Sequence, residues 1–272
     1  MPALTPALIA LLFVVLMMVS LWALHLRDED ASIVDPMWGP AIFGTGWVYA
    51  LASGTSLRGG RLVIFLIAGA WALRLAAHLA KRHAASGEDR RYRKMREARG
   101  SEWWWRSLYV VFLFQAILAW IVALPLMMTL TGRLELNVLG WLGAGVAVFG
   151  FVFEAVADGQ LGHYIQRERA ATEADPDRER GVMDEGLWRY SRHPNYFGEA
   201  VVWWGLGLVA LSGGHYLSLL GPALITFMLL KVSGVSMTEA DIAERRPAYQ
   251  AYIKKTSSFI PRPPGPSAAS QD

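Results

Sequence analysis

The sequence predicts an all-α, polytopic membrane protein with seven transmembrane helices. Two features of the 272 residues lead there: 54% are apolar, and the charges are gathered between long uncharged stretches. A third is the lopsided placement of Lys and Arg. Ala3 to Leu24 carries no charge at all, and at about 1.5 Å per helical residue it is long enough to cross a ~30 Å hydrocarbon core. A cleaved secretory signal would instead show a basic start, a shorter apolar core and a small-residue cleavage site. Further apolar stretches run over Trp38 to Ala52, Leu62 to Leu79, Leu108 to Thr131, Val138 to Ala157, Phe197 to Leu211 and Tyr216 to Val235. The second and sixth of the seven are short for a full crossing and require flanking residues or little tilt.

Orientation follows from the loops. Nine Lys and Arg lie between Lys81 and Arg106, six between Gly159 and Tyr196 and five after Glu239, with Arg27 in the first connection. With seven crossings these fall on one side, and only Arg58, Arg61 and Arg133 on the other. The positive-inside bias then puts the N-terminus outside and the C-terminus in the cytoplasm. The same asymmetry explains the basic balance without any nucleic-acid partner. Cysteine is absent, which excludes disulfides, thiol catalysis and thiolate metal sites. Residues 1–264 read as a single membrane domain, and 265–272, within the Pro-rich end "FIPRPPGPSAASQD", as a disordered tail.

Ionisable side chains inside spans are costly and point to function. They are Arg74, Glu154, Asp158, Glu199 and Lys231, with Asp35 and His78 near helix ends. Paired structural charges, or snorkelling of Arg74 and Lys231, are the alternative; Asp and Glu are too short to snorkel. Glu154 and Asp158, four apart, share one helix face and need a cation, a metal or a proton between them. No recurring metal-ligand spacing accompanies them, so no metal is expected. In "LWRYSRHPNYFGEAVVWW", Pro194 suits the first turn of a helix on which Asn195 and Glu199 face the same way. Arg189, Arg192 and His193 surround that helix N-terminus, an arrangement suited to phosphate or to a lipid headgroup. No Gly-rich nucleotide loop occurs; Gly143, Gly145 and Gly150 lie in an apolar helix and favour close helix packing.

The order of residues in "GLWRYSRHPNYFGE" resembles the C-terminal signature of the membrane steroid 5-alpha-reductase-like family, which also includes, more distantly, sterol carbon-14 and carbon-7 reductases. "SIVDPMWG", "SGEDRRYRKMR", "FEAVADGQ" and "RRPAYQAYIKKTSSFIPRPP" are similar to its bacterial branch, so the resemblance covers nearly the whole chain. It implies an NADPH-dependent reductase of an activated carbon–carbon double bond in a steroid or related lipid, seated in a bacterial inner membrane. By position it implies that Asn195 and Glu199 hold the nicotinamide end and Asp158 the cofactor wall. Arg82, Arg167, Arg180, Arg192 and Arg245 become phosphate candidates, and Tyr196 and Tyr252 cavity residues. The family's carbonyl-polarising acid aligns with Asp35. Its tyrosine partner falls at or beside His78, where the pattern departs and a tyrosine elsewhere would serve as well. Trp38 and Gln115 are candidate substrate contacts.

Two other functions fit parts of the sequence. Membrane methyltransferases of the isoprenylcysteine carboxyl type also carry an Arg-His-Pro-x-Tyr-x-Gly stretch and would bind S-adenosylmethionine at the same helix N-terminus. The pairing of Asn195 with Glu199, the "SIVDPMWG" element and the many arginines favour the reductase. A non-enzymatic lipid-binding protein would leave Glu199 as an expensive buried acid with no ligand.

Overall fold

A computed structural model of the chain describes residues 4–131, 134–178, 181–232, 234–235, 239 and 248–265. Arg180, Arg245 and the tail from 266 onward lie outside the described residues. Among the described residues every regular element is helical. Four helical stretches are long and apolar enough to cross a membrane: Leu4–Asp28, Gly60–Ser86, Arg90–Val122 and Val138–Ala174. These mark the chain as a membrane protein. The other three predicted spans also form helices, over Trp38–Ser53, Pro194–Ser212 and Tyr216–Val232.

The residues divide into two compact units, Met1–Ala147 with Trp203–Leu224, and Val148–Val202 with Ile225–Asp272. In the first unit α1 (Leu4–Asp28) packs on α2 (Trp38–Ser53), and α2 packs on α3 (Gly60–Ser86). The connection from α1 to α2 is a tight one. Glu29 takes a left-handed φ of 53°, and Asp30 then caps a 3-10 turn over Ala31–Met37 by accepting the Ser32 backbone N–H at 2.8 Å. This turn carries Asp35 and Pro36. The α3 helix stops at Gly87, whose φ of 65° suits a residue without a Cβ. Two residues on, Asp89 caps α4 (Arg90–Arg99), its Oδ1 accepting the Arg91 N–H at 2.9 Å. Helix then continues through a 3-10 turn, α5 (Trp103–Ser107), a π turn at Leu108–Leu113 and α6 (Phe114–Val122), followed by α7 (Leu124–Met128). Both α1 and α2 pack against α6.

The 37-residue α8 (Val138–Ala174) extends well beyond the predicted span, so the first part of the expected loop after Gly159 is helix. No proline interrupts "GQLGHYIQRERAATEA", and the helix ends two residues before Pro176, where the pre-proline residue disfavours the α conformation. The α9 helix (Pro194–Ser212) starts at the predicted proline. Its backbone lies directly on that of α8. Within the first unit a Cβ on Gly143 would sit 2.8 Å from the Gly205 carbonyl oxygen; within the second, one on Gly150 would sit 2.5 Å from the Val202 nitrogen. A Cβ on Gly198 would likewise meet the Glu154 backbone at 2.7 Å. Gly145 differs from the expectation, because nothing among the described residues lies within 4 Å of its missing Cβ. The chain continues through a 3-10 turn at Tyr216–Leu219, α10 (Leu220–Phe227) and a π turn at Met228–Val232 to α11 (Ala248–Lys255).

The contrast between these glycines is testable. Gly150→Val, whose Cβ would meet unyielding backbone, is expected to destabilise the protein by ~2 kcal/mol or more, lowering its thermal midpoint in detergent. Gly145→Ala should leave that midpoint within a degree or two, on the order of the effect of a surface change.

Candidate functional site

The first unit gathers a polar cluster around Asp35. Its Oδ1 accepts the Tyr92 hydroxyl at 2.6 Å, and its Oδ2 accepts Arg91 Nη2 at 2.8 Å. Gln115 Nε2, from α6, donates to the Tyr92 oxygen at 3.3 Å. Arg91 is held from behind by Asp89, with Nε on Oδ1 at 3.0 Å and Nη2 near Oδ2 at 3.3 Å. Burial pushes the Asp35 carboxyl above its ordinary value, against the opposing pull of Arg91 and of the Tyr92 hydroxyl. Asp89, although burial alone would raise it, is lowered by the Arg91 hydrogen bond and charge.

A small pocket of about 50 Å³ opens beside Asp35, lined by Ser32, Leu79, Arg82, His83, Ser86, Gly87 and Asp89. Arg82 pairs with Asp89 at 3.3 Å and is half exposed. Ser32 and His83 belong to a second polar chain. Ser32 Oγ donates to Asp30 Oδ1 at 2.5 Å and stands 3.3 Å from His83 Nδ1, while His83 Nε2 lies 3.5 Å from Asp30 Oδ2.

The structure therefore completes the Asp35 pair differently from the primary expectation. The hydroxyl partner is Tyr92, and the histidine lining the pocket is His83; His78 is half-buried on α3, and neither the Asp35 hydrogen bonds nor the pocket lining includes it. Trp38, at the start of α2, is half-buried and outside the pocket lining. Gln115 joins the cluster through Tyr92. Asp89, Arg91 and Tyr92 all lie within "SGEDRRYRKMR" but are not among the site residues the sequence predicts. The available signal was an Asp at an N-cap position followed directly by Arg and Tyr in the first turn, which places both side chains beside whatever the cap approaches.

The second unit holds the residues of the α9 doorstep. Asp158 Oδ1 accepts Asn195 Nδ2 at 3.1 Å. Asn195 Oδ1 is buried and meets no donor among the described residues. Glu154, Asp158 and Glu199 are all buried, as the sequence predicts for acids on inward faces. Around them Trp188 Nε1 donates to the Ala157 carbonyl at 3.0 Å and Leu187 N to Gln160 Oε1 at 2.9 Å. These bonds fix the 3-10 turn Gly186–Arg189 against α8.

Arg192 and His193 take a role other than the predicted open anion rim. The Arg192 guanidinium forks onto Glu239, Nε to Oε1 at 2.7 Å and Nη2 to Oε2 at 2.8 Å, while Nη1 donates to the Ile253 carbonyl at 3.1 Å. His193 Nε2 lies 3.0 Å from the same Glu239 Oε1, and the Tyr196 ring stacks on the His193 imidazole. The anion this corner binds is the protein's own carboxylate. Backbone bonds extend the junction, Arg192 N to Ser257 O at 2.8 Å and Arg262 N to Tyr190 O at 2.9 Å. The Tyr252 hydroxyl is engaged as well, donating to the backbone carbonyls of Trp188 and Ser191. Burial raises the Tyr252 phenol, so it stays protonated at neutral pH. Arg167 is different: its partner Glu185, at 2.9 Å, is as exposed as the arginine itself. Such a pair exchanges partners readily.

Residues 21–256 match the family described as DUF1295, proteins of unknown function. The chain belongs to that family. It is steroid 5-alpha-reductase-like in general. The chain is also 26% identical, over 89% of its length and 76% of the relative's, to the uncharacterized protein C594.04c of Schizosaccharomyces pombe. No solved structure matches it.

The Glu239 junction carries its own pH dependence. Burial raises this carboxyl, but hydrogen bonds from His193 and Arg192 outweigh it and bring it from 4.5 down to about 2. Its contribution is therefore fully present above pH 4.5 and is lost as pH falls through about 2. Removing one partner of such a pair leaves a buried charge uncompensated, a cost of ~3 kcal/mol. Arg192→Leu is thus expected to loosen the C-terminal segment at neutral pH, seen as faster trypsin cleavage at Lys254 and Lys255. Cleavage at the wild-type rate would contradict the junction.

Proposed function

We propose that the protein reduces an activated carbon–carbon double bond in a steroid or related lipid, with NADPH as the hydride source. The observation that carries this reading is the Asp35 and Tyr92 pair, an acid and a phenol 2.6 Å apart with Gln115 on the phenol oxygen. An enone requires this kind of group. As its β-carbon becomes saturated, negative charge builds on the carbonyl oxygen, and a positioned O–H donor stabilises that charge. With Asp35 protonated, its O–H would donate to the Tyr92 oxygen across the same 2.6 Å contact, and the single Tyr92 proton, released from the carboxylate, would donate to the carbonyl oxygen. The α-carbon then takes a proton from solvent or a neighbouring donor, which completes the balance.

The second unit supports the cofactor through an unmet need. Asn195 presents a buried amide oxygen that meets no donor among the described residues, beside Asp158 and close in sequence to buried Glu199. A carboxamide N–H fits that oxygen, and ribose hydroxyls fit the carboxylates. When bound, NADPH supplies hydride. Asn195, Asp158 and Glu199 would hold its nicotinamide end, and Arg167, with its exchangeable partner, would meet a phosphate. Arg192 and His193 do not fit the phosphate end, because Glu239 already occupies them. Their part is to fix the turn leading into α9, and Tyr252 serves with them. Arg82, half exposed and held to Asp89 by one 3.3 Å contact rather than a buried fork, remains a phosphate candidate. The reading includes seven crossings with the N-terminus outside, in a bacterial inner membrane.

Calorimetry with NADPH and with S-adenosylmethionine separates reductase from methyltransferase: NADPH alone is expected to bind, and binding of S-adenosylmethionine alone contradicts the reading. Asn195→Leu should weaken NADPH binding about tenfold. Tyr92→Phe should lower turnover of a 3-oxo-4-ene steroid by ~100-fold or more while leaving NADPH affinity unchanged. Full turnover by Tyr92→Phe would remove the donor role.

A further inference from the structure

We propose that Arg91 is the positioning residue of the Asp35 and Tyr92 pair, a guanidinium anchored by Asp89 that holds the Asp35 carboxylate in the orientation that orders the Tyr92 hydroxyl. For its part in a reaction the inference rests on the reductase reading; the geometry itself does not.

The anchoring begins in the backbone. Asp89 caps α4 through the Arg91 N–H at 2.9 Å, so Arg91 and its anchor are fixed by the start of one helix. The same carboxylate takes Arg91 Nε at 3.0 Å, which leaves Nη2 to reach Asp35 at 2.8 Å. Asp89 is steadied in turn, its N–H donating to Ser32 Oγ at 3.1 Å and its carboxylate receiving Arg82 at 3.3 Å. Ser32 stands on the same 3-10 turn as Asp35. The result is a closed circuit from the Asp35 turn through Ser32 and Asp89 to Arg91 and back to Asp35. With Oδ2 taken by Arg91, Oδ1 is the oxygen presented to Tyr92, and the phenol lies between it and Gln115.

Arg91 and a lysine are not equivalent here, since the guanidinium meets the two carboxylates through separate nitrogens, Nε and Nη2, held in one plane, whereas a lysine offers one freely rotating nitrogen. The charged and titratable groups around Asp35 are Arg91 and Tyr92 from α4, Asp89 before it, and Arg82 and His83 from α3. Of these, Arg91 alone is at hydrogen-bond distance with a full positive charge. Without it, the ionised carboxylate loses its main support and takes up a proton at higher pH.

The test uses the full-length protein in detergent with 3-fluorotyrosine in place of Tyr92. Its fluorine resonance is followed by NMR while pH is lowered through the carboxylate range. In the otherwise wild-type protein the resonance shifts once, as Asp35 is protonated. Arg91→Gln, similar in bulk but neutral, is expected to move that midpoint up by ~1 pH unit or more. Arg91→Lys keeps the charge without the fork. It is expected to hold the midpoint closer to wild type while splitting or broadening the resonance, as the phenol samples more than one orientation. An unmoved midpoint in Arg91→Gln, or a single sharp wild-type resonance in Arg91→Lys, overturns the proposal. Turnover is assayed separately: a protein that shows the expected fluorine behaviour but reduces no enone with NADPH overturns the reductase reading and leaves the positioning role standing.

Discussion

In an apolar helical protein a charged group that leaves water needs a counter-charge, hydrogen-bond partners or a change of protonation. That constraint sets where the polar side chains of this molecule stand. Arg192 closes on Glu239 with a two-pronged fork, and Arg91 reaches across two carboxylates. Both are arginines, whose weakly hydrated planar group tolerates burial against carboxylates better than lysine does. Each fastens a turn to a helix terminus, Arg192 before α9 and Arg91 at the start of α4.

The two clusters differ in what they leave open. Around Arg192 the strong donors are satisfied, and the ordering of the C-terminal segment follows from that completeness. Around Asp35 the circuit closes on one side, while a pocket remains on another and a phenol proton points at a single carboxylate oxygen. In the second unit the buried Asn195 oxygen is open in the same sense. Native proteins seldom leave buried acceptors without donors, and on the proposed reading the cofactor's carboxamide supplies this one. Under the proposed function, chemistry belongs at these incomplete places and stability at the complete ones.

Much of the helical pattern was legible in the sequence, because apolar periodicity and local signals decide it. Pro194 opens α9 where its missing N–H costs nothing, and Gly143 and Gly150 allow the α8 and α9 backbones to touch. Helical spacing put Glu154 with Asp158, and Asn195 with Glu199, on shared faces, and the structure buries all three acids. What escaped depends on distance along the chain. The Tyr92 hydroxyl meets a carboxylate 57 positions away, and Arg192 meets one 47 away. No local pattern distinguishes an arginine waiting for a phosphate from one already closed on a distant glutamate. Gly145 shows the same limit in reverse: it shares a helix with two packing glycines but faces open space.

The reductase account comes down to one transfer of hydrogen from cofactor to lipid. The most direct measurement supplies NADPH carrying deuterium at the transferable C4 position and follows the label, by mass spectrometry, into a 3-oxo-4-ene steroid. The expected result is deuterium at the β-carbon of the saturated product with the wild-type protein, and almost none with Tyr92→Phe. Label that stays in the cofactor while the steroid is recovered unreduced, or equal incorporation by the two proteins, would contradict it.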